Sequence, residues 1–272
     1  RLDFNTERSP APILAAWAGF MNTEDFLVIC DFHDGQDRLF VYRKTELEAH
    51  ELVHSQTGAL GLQTAENAMV NIFTFNGFLY VMSAKKTVAY ESGEFVEKKP
   101  YIPLVIAGAD PAGGGTTLEN INLLTGYRRM NFSADGTATA YVLPAEAVGV
   151  VTVTVDNVEQ TNAGSFDSKT HTFNFTKAPI KGVGNVEITY STDPETSEAA
   201  RMQILSCRLH EEYNGSTDTR LFVAGNGTNM CYYTGVTQDG EATAMYFPAM
   251  NEVAVDMSGS AITGLVRHYS KL

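Results

Sequence analysis

His50-Glu51-Leu52-Val53-His54 is the stretch of this chain whose residue types and spacing match a known catalytic device. On a helix, histidines at i and i+4 share one face. Both imidazoles could then hold a zinc ion while Glu51 activates its water. The run from Thr45 to His54 has fair helix propensity, with Thr45 placed as a cap. Three features count against the device. The extended zinc-protease pattern needs glycine where Thr57 stands. A third ligand would have to come from a second helix, yet the residues after Gly61 pass into a hairpin pattern. The strands that precede the motif also run straight into it, so it reads as a solvated strand or a short helix. The expectation is a chain that is not an enzyme and holds no metal or cofactor. The alternative is a zinc metallopeptidase with Glu51 as base and His50 and His54 as ligands.

The other chemical residues are less specific. His33-Asp34 sits in a turn, where Asp commonly bonds its own backbone. Glu211-Glu212 beside Tyr213 could suggest paired carboxylates, but acidic pairs in exposed loops are usually just solvated. Gly113-Gly114-Gly115 lacks the Lys-Ser/Thr of a phosphate loop and reads as a linker. Cys30, Cys207 and Cys231 have no metal-type spacing and read as buried thiols. Tyr232, Tyr233, Tyr246 and Phe247 are candidates for an interface. They are also the candidates for stacking on a glycan, which gives a further alternative, a glycan-binding surface adhesin.

These residues sit in a pattern made for strands. Phe26 to Tyr42 folds about His33-Asp34-Gly35-Gln36-Asp37. Met69 to Ser83 folds about Asn76-Gly77, among the strongest hairpin signals in sequence. Thr87 to Glu91 follows, turned by Ser92-Gly93. Such short antiparallel strands describe a propeller blade. From Ile102 to Phe132 the chain turns rich in Gly and Pro and reads as a flexible connector. Ser191 to Glu198 reads as a second one. Strands return at Arg201 to Leu209, about an Asn214-Gly215 turn, at Thr219 to Gly225 and at Ala261 to Val266. A net charge of -13 argues against a nucleic-acid surface, which needs a basic footprint. Nothing approaches the apolar length of a membrane span. The chain opens on Arg1, as a piece of a longer protein would, and a missing downstream half is expected.

Phe132 to Tyr190 combines Asp135-Gly136-Thr137, Val151 to Gln160, and a closing hairpin through Ala178-Pro179 and Val186-Glu187-Ile188. This order resembles a small β-sandwich module of bacteriophage tail and fibre proteins. Tyr101 to Arg128, Asp218 to Asn226, Tyr246-Phe247-Pro248 and Ile262 to Leu265 together resemble the propeller-type hub proteins of gut phages. The resemblance implies an all-β protein of propeller-like blades, as a whole or a partial propeller, carrying an inserted small β-sandwich. The expected divisions are blades at 1–110, a connector at 111–131, the sandwich at 132–192 and further blades at 193–272. It implies a structural virion component of the neck, tail hub or fibre base, made in the bacterial cytoplasm. Its partners would be other virion proteins in a ring-like homo-oligomer, with no nucleic acid and no membrane.

Overall fold

Two-residue turns set the register of the first half of the chain. The computed structural model describes residues 11–21, 23–45, 49–66, 68–214 and 219–268. Asp34-Gly35 has φ of 47° and 78°, and Asn76-Gly77 has 51° and 80°. Positive φ at both central residues is the turn whose twist matches that of paired strands. Around these turns β1 (Ile13–Met21), β2 (Glu24–His33), β3 (Gln36–Lys44) and β4 (His50–Thr57) form a four-stranded antiparallel sheet in chain order. β5 (Val70–Phe75), β6 (Phe78–Ser83), β7 (Thr87–Glu91) and β8 (Glu94–Lys98) form a second.

Strands β9 to β17 make two further sheets. β9 (Leu104–Ala109), β10 (Thr116–Thr117), β11 (Tyr127–Ala134), β13 (Gly149–Val155), β14 (Val158–Glu159) and β17 (Gly182–Ser191) form a six-stranded sheet, with β12 (Ala140–Val142) lying outside it. β12, β15 (Gly164–Asp167) and β16 (Thr172–Phe175) form a three-stranded one. A 12-residue helix, α1 (Pro194–Leu205), leads into the last sheet. That sheet holds β18 (Leu209–Asn214), β19 (Thr219–Ala224), β20 (Met230–Tyr233) and β21 (Glu252–Ala254). The chain is thus mostly strand, in several largely antiparallel sheets of which none closes on itself. β9 against β11 is a parallel pair.

Three apolar cores join these layers. Val28, Cys30, Leu39 and Val41 of the first sheet pack with Val70, Leu79, Val81 and Phe95 of the second. The opposite face of the second sheet, through Phe73, Phe75, Tyr80 and Met82, packs with Leu221, Val223 and Tyr232 of the last. α1 adds Ile204 and Leu205 to that core. Burial on both faces explains why Leu79 to Ser83 reads as an unbroken buried run rather than an alternating one. The third core lies between the six- and three-stranded sheets, around Phe132, Tyr141, Phe175, Ile188 and Tyr190.

Polar groups tie the layers where apolar contact cannot. Buried Asp37 accepts the Leu60 and Leu62 amides at 2.8 and 2.9 Å, fixing the passage from β4 towards β5. Buried Asn122 donates to the Tyr101 and Met245 carbonyls and accepts from the Leu124 and Phe247 amides. All four of its hydrogen-bonding positions are therefore used, and three separate segments meet on one side chain.

Three sequence expectations are corrected. Arg201 to Leu209 is not a strand, because α1 runs to Leu205 and its start is capped by Asp193, whose carboxylate accepts the Thr196 amide. The residues from Ile102 to Phe132 are not a connector poor in apolar anchors. Leu104, Val105, Ala109, Leu123 and Leu124 are buried there, and β9 and β10 belong to the six-stranded sheet. Residues 261–267 hold no strand, because the segment makes no ladder. The turn expected at Asn214-Gly215 lies partly outside the described residues.

Candidate functional site

The zinc motif lies on β4, and its register decides what it can do. His54 pairs with Val41, Leu52 with Tyr42, Glu51 with Arg43 and His50 with Lys44, with a bulge between the first two pairs. Residues directly opposite share a face. Val41 points into the core, so His54 does too, while His50 points outward with Lys44. The bulge thus turns the two imidazoles to opposite faces. Even without it, four strand steps would separate them by roughly 13 Å. His54 instead lies beside Tyr90 and Phe95, ring centroids 5.6 and 5.7 Å away. The helical arrangement that zinc ligation by His50 and His54 requires does not form. No cluster of three or more His, Cys, Asp or Glu side chains able to hold a metal occurs among the described residues.

The remaining candidates separate in the same way. Burial pushes the Cys30 and Cys207 thiols up to about 12, which makes them unreactive. His33 pairs with its neighbour Asp34 at 3.2 Å. Glu212 accepts the Asn76 amide at 2.9 Å, so it ties the last sheet to the hairpin turn of the second. Glu211 lies across from Phe222 on the other face, so the two carboxylates do not form a pair. Tyr232, Tyr246 and Phe247 are buried, at 5%, 3% and 1% exposure, which corrects their reading as surface interface or sugar-stacking residues. Tyr246 donates its hydroxyl to the Asn120 carbonyl at 2.8 Å, and burial raises its pKa.

Tyr233 alone of the four faces outward. Leu221 and Val223 point into the core between the second and last sheets, so Phe222 between them points away. Tyr233 pairs with Phe222 and stacks on it at 5.4 Å, 27° between planes. Tyr213 meets Phe222 edge-on from the other side at 6.2 Å. An aromatic row thus crosses β18, β19 and β20 on the outward face of the last sheet. Exposed Val253, on β21, pairs with Cys231 and extends the apolar surface beside the row. Sequence reasoning found Tyr233 and missed Phe222 and Tyr213 as partners. Alternation along β19 marked Phe222 as opposite in direction to Leu221, but the row exists only once three strands are in register.

No family model, no curated protein and no solved structure matches the chain.

The other end of the stack is also apolar. Ile13, Phe20 and Leu52 pair with Asp31, Asp25 and Tyr42, on the face of the first sheet that turns away from the second. Their exposures are 63%, 69% and 46%. Arg38 on this face makes a two-pronged bond to Asp31, both distances 2.7 Å, and lies over the Phe40 ring.

A cleft of about 840 Å³ opens between β8, the β13–β17 face and the start of α1. Lys85, Lys86, Lys98, Lys99 and Arg201 line it. Carboxylates offset three of these cations, Glu97 for Lys86, Glu91 for Lys98 and Glu198 for Arg201. The lining carries neither cysteine nor histidine, and besides these charges it offers the hydroxyls of Thr125, Thr152, Thr189, Ser191 and Ser197.

Proposed function

We propose that the chain is a structural component of a bacteriophage particle, of the neck, tail hub or fibre base, acting by protein–protein assembly. The three four-stranded sheets are read as propeller-like blades, and the β9–β17 unit as a small β-sandwich inserted between the second and third. Other virion proteins are its partners, and a ring-like homo-oligomer is its assembled form. One observation carries the reading. Three sheets stack face to face, and the stack ends on apolar residues at both of its outer faces. Apolar surface of that kind, on rigid β layers, is what a protein needs in order to be built into a larger object. The ordered phage-type motifs support placing that object in a virion.

The test is mass spectrometry of density-gradient-purified particles from cells that carry the gene. The chain should co-migrate with the particles at a fixed ratio to their other proteins. Recovery of the chain only in the particle-free fraction would overturn the virion assignment.

A further inference from the structure

Positive charge is concentrated in the cleft between β8, the β13–β17 face and α1. The protein carries a net charge of -13, yet five of its 19 lysines and arginines line this one cavity. Four of the five come from one end of the second sheet. Thr87 and Lys98 are the last paired residues of β7 and β8, so Lys85, Lys86 and Lys99 crowd the same end. Like charges gathered there repel one another, and a bound anion relieves that cost.

The turn that carries Lys85 and Lys86 is held in place. Buried Ser83 donates its hydroxyl to the Lys86 carbonyl at 2.9 Å and accepts the Lys85 and Lys86 amides at 3.2 and 3.1 Å. Arg201 of α1 donates to the Ser83 carbonyl at 3.3 Å. The three carboxylates in the lining are already engaged, Glu97 by Lys86, Glu198 by Arg201 and Glu187 by Arg129. Lys85 and Lys99 make no ion pair among the described residues. Lysines at a strand end serve solubility when they point into open water, whereas these line a walled cavity of about 840 Å³.

The chemistry of the walls selects the anion. Ammonium groups are compact point charges that suit a tetrahedral phosphoryl group, whereas a planar carboxylate is best met by the guanidinium fork. Arg201, the one arginine in the lining, is already held by Glu198 and the Ser83 carbonyl. Tyr127 is the one aromatic in the lining, so a nucleobase finds no stacking platform. The opposite wall carries Thr152 and Thr189, paired across β13 and β17 on the face that buried Val153 and Ile188 leave outward. The volume falls in the range of roughly 300–1,000 Å³ typical of small-molecule sites, far more than a lone phosphate fills.

We infer that the cleft binds a phosphorylated polyhydroxy compound of sugar-phosphate size. Lys85, Lys86 and Lys99 hold its phosphoryl group, and Thr152 and Thr189 meet its hydroxyls. The site goes beyond the assembly reading above, and neither depends on the other.

Isothermal titration calorimetry of the full chain tests it, with glucose 6-phosphate, inorganic phosphate, glucose and glucuronate as probes. Glucose 6-phosphate should bind saturably at one site per chain, more tightly than each of the other three. Lys85→Gln combined with Lys99→Gln should weaken that binding by at least about tenfold. Lys169→Gln combined with Lys177→Gln removes the same charge outside the cleft and should leave it unchanged. Thr152→Val combined with Thr189→Val should weaken glucose 6-phosphate and spare inorganic phosphate. Equal melting by circular dichroism shows that the variants are folded. Absence of saturable binding by both phosphate-bearing probes overturns the inference. So does glucuronate binding as tightly as glucose 6-phosphate, or an equal loss in the Lys169 and Lys177 variant. Threonine variants that bind glucose 6-phosphate as wild type does overturn the polyhydroxy assignment.

Discussion

Tyr141 is the clearest case of a single residue whose environment predicts its response. Its ring packs edge-on to Phe132 and Phe175, and its buried hydroxyl has no hydrogen-bond partner among the described residues. An unmet buried hydroxyl costs free energy, so Tyr141→Phe should leave stability unchanged or raise it by about 1 kcal/mol in urea unfolding. Asp37 should behave in the opposite way. Its Ala substitution strands the Leu60 and Leu62 amides in a buried site and should cost at least about 2 kcal/mol. His210 gives a pH signature. Its ring is enclosed against Phe73, although the residue as a whole keeps some exposure, and burial lowers its pKa from 6.5 to about 4. Between those values the unfolded chain binds the proton more tightly. Stability from this group is therefore complete above about pH 6.5 and declines as pH falls towards 4, with an upper bound of about 3 kcal/mol. His210→Phe keeps an aromatic ring on Phe73 and should flatten that part of the melting-temperature profile. An unaltered profile would place the acid sensitivity elsewhere.

Elements were legible where one local rule dominated. Asn76-Gly77 and Asp34-Gly35 demand a backbone that few residue pairs adopt, so their hairpins could be read directly. α1 was missed although its signals are present in Asp193, Pro194 and Glu195, a cap, a first-turn proline and a first-turn acid. Its apolar run from Met202 to Leu205 flows into Cys207 and Leu209, and this obscured the end of the helix. Asp193→Ala should cost about 1 kcal/mol and lower the far-ultraviolet helical signal on heating before the main transition. β9 was missed for another reason. Its parallel pairing to β11 is made across a long connection, which local punctuation by Pro103 and Gly108 cannot reveal. Gly115, read as part of a linker, closes β10 on β9. Its φ is +95°, and a Cβ there would lie 2.9 Å from the Ala107 carbonyl oxygen. Gly115→Ala should therefore destabilise the six-stranded sheet, seen as faster amide exchange at Ile106 and Ala107.

At the scale of the whole molecule, the all-β class and the repeated four-stranded meanders followed from alternation and turn chemistry. The candidate site followed only in part. Of the four aromatics singled out in sequence, Tyr232 and Phe247 turn into the core shared with the second sheet, and Tyr246 is buried against Tyr101 instead. The zinc motif lies on a strand, one of its two sequence readings, and there a bulge that sequence does not announce turns its imidazoles to opposite faces. What the assembled chain adds is the order of the sheets, and with it two outer faces that resemble interior ones. The most direct measurement of that idea is hydroxyl-radical footprinting of the intact chain at low and high concentration, with buried Phe73 and Tyr80 as internal references. Oxidation of Phe20, Phe222 and Tyr233 should fall together as concentration rises, while the references stay constant. Oxidation of those three residues that does not change with concentration would contradict assembly through these faces.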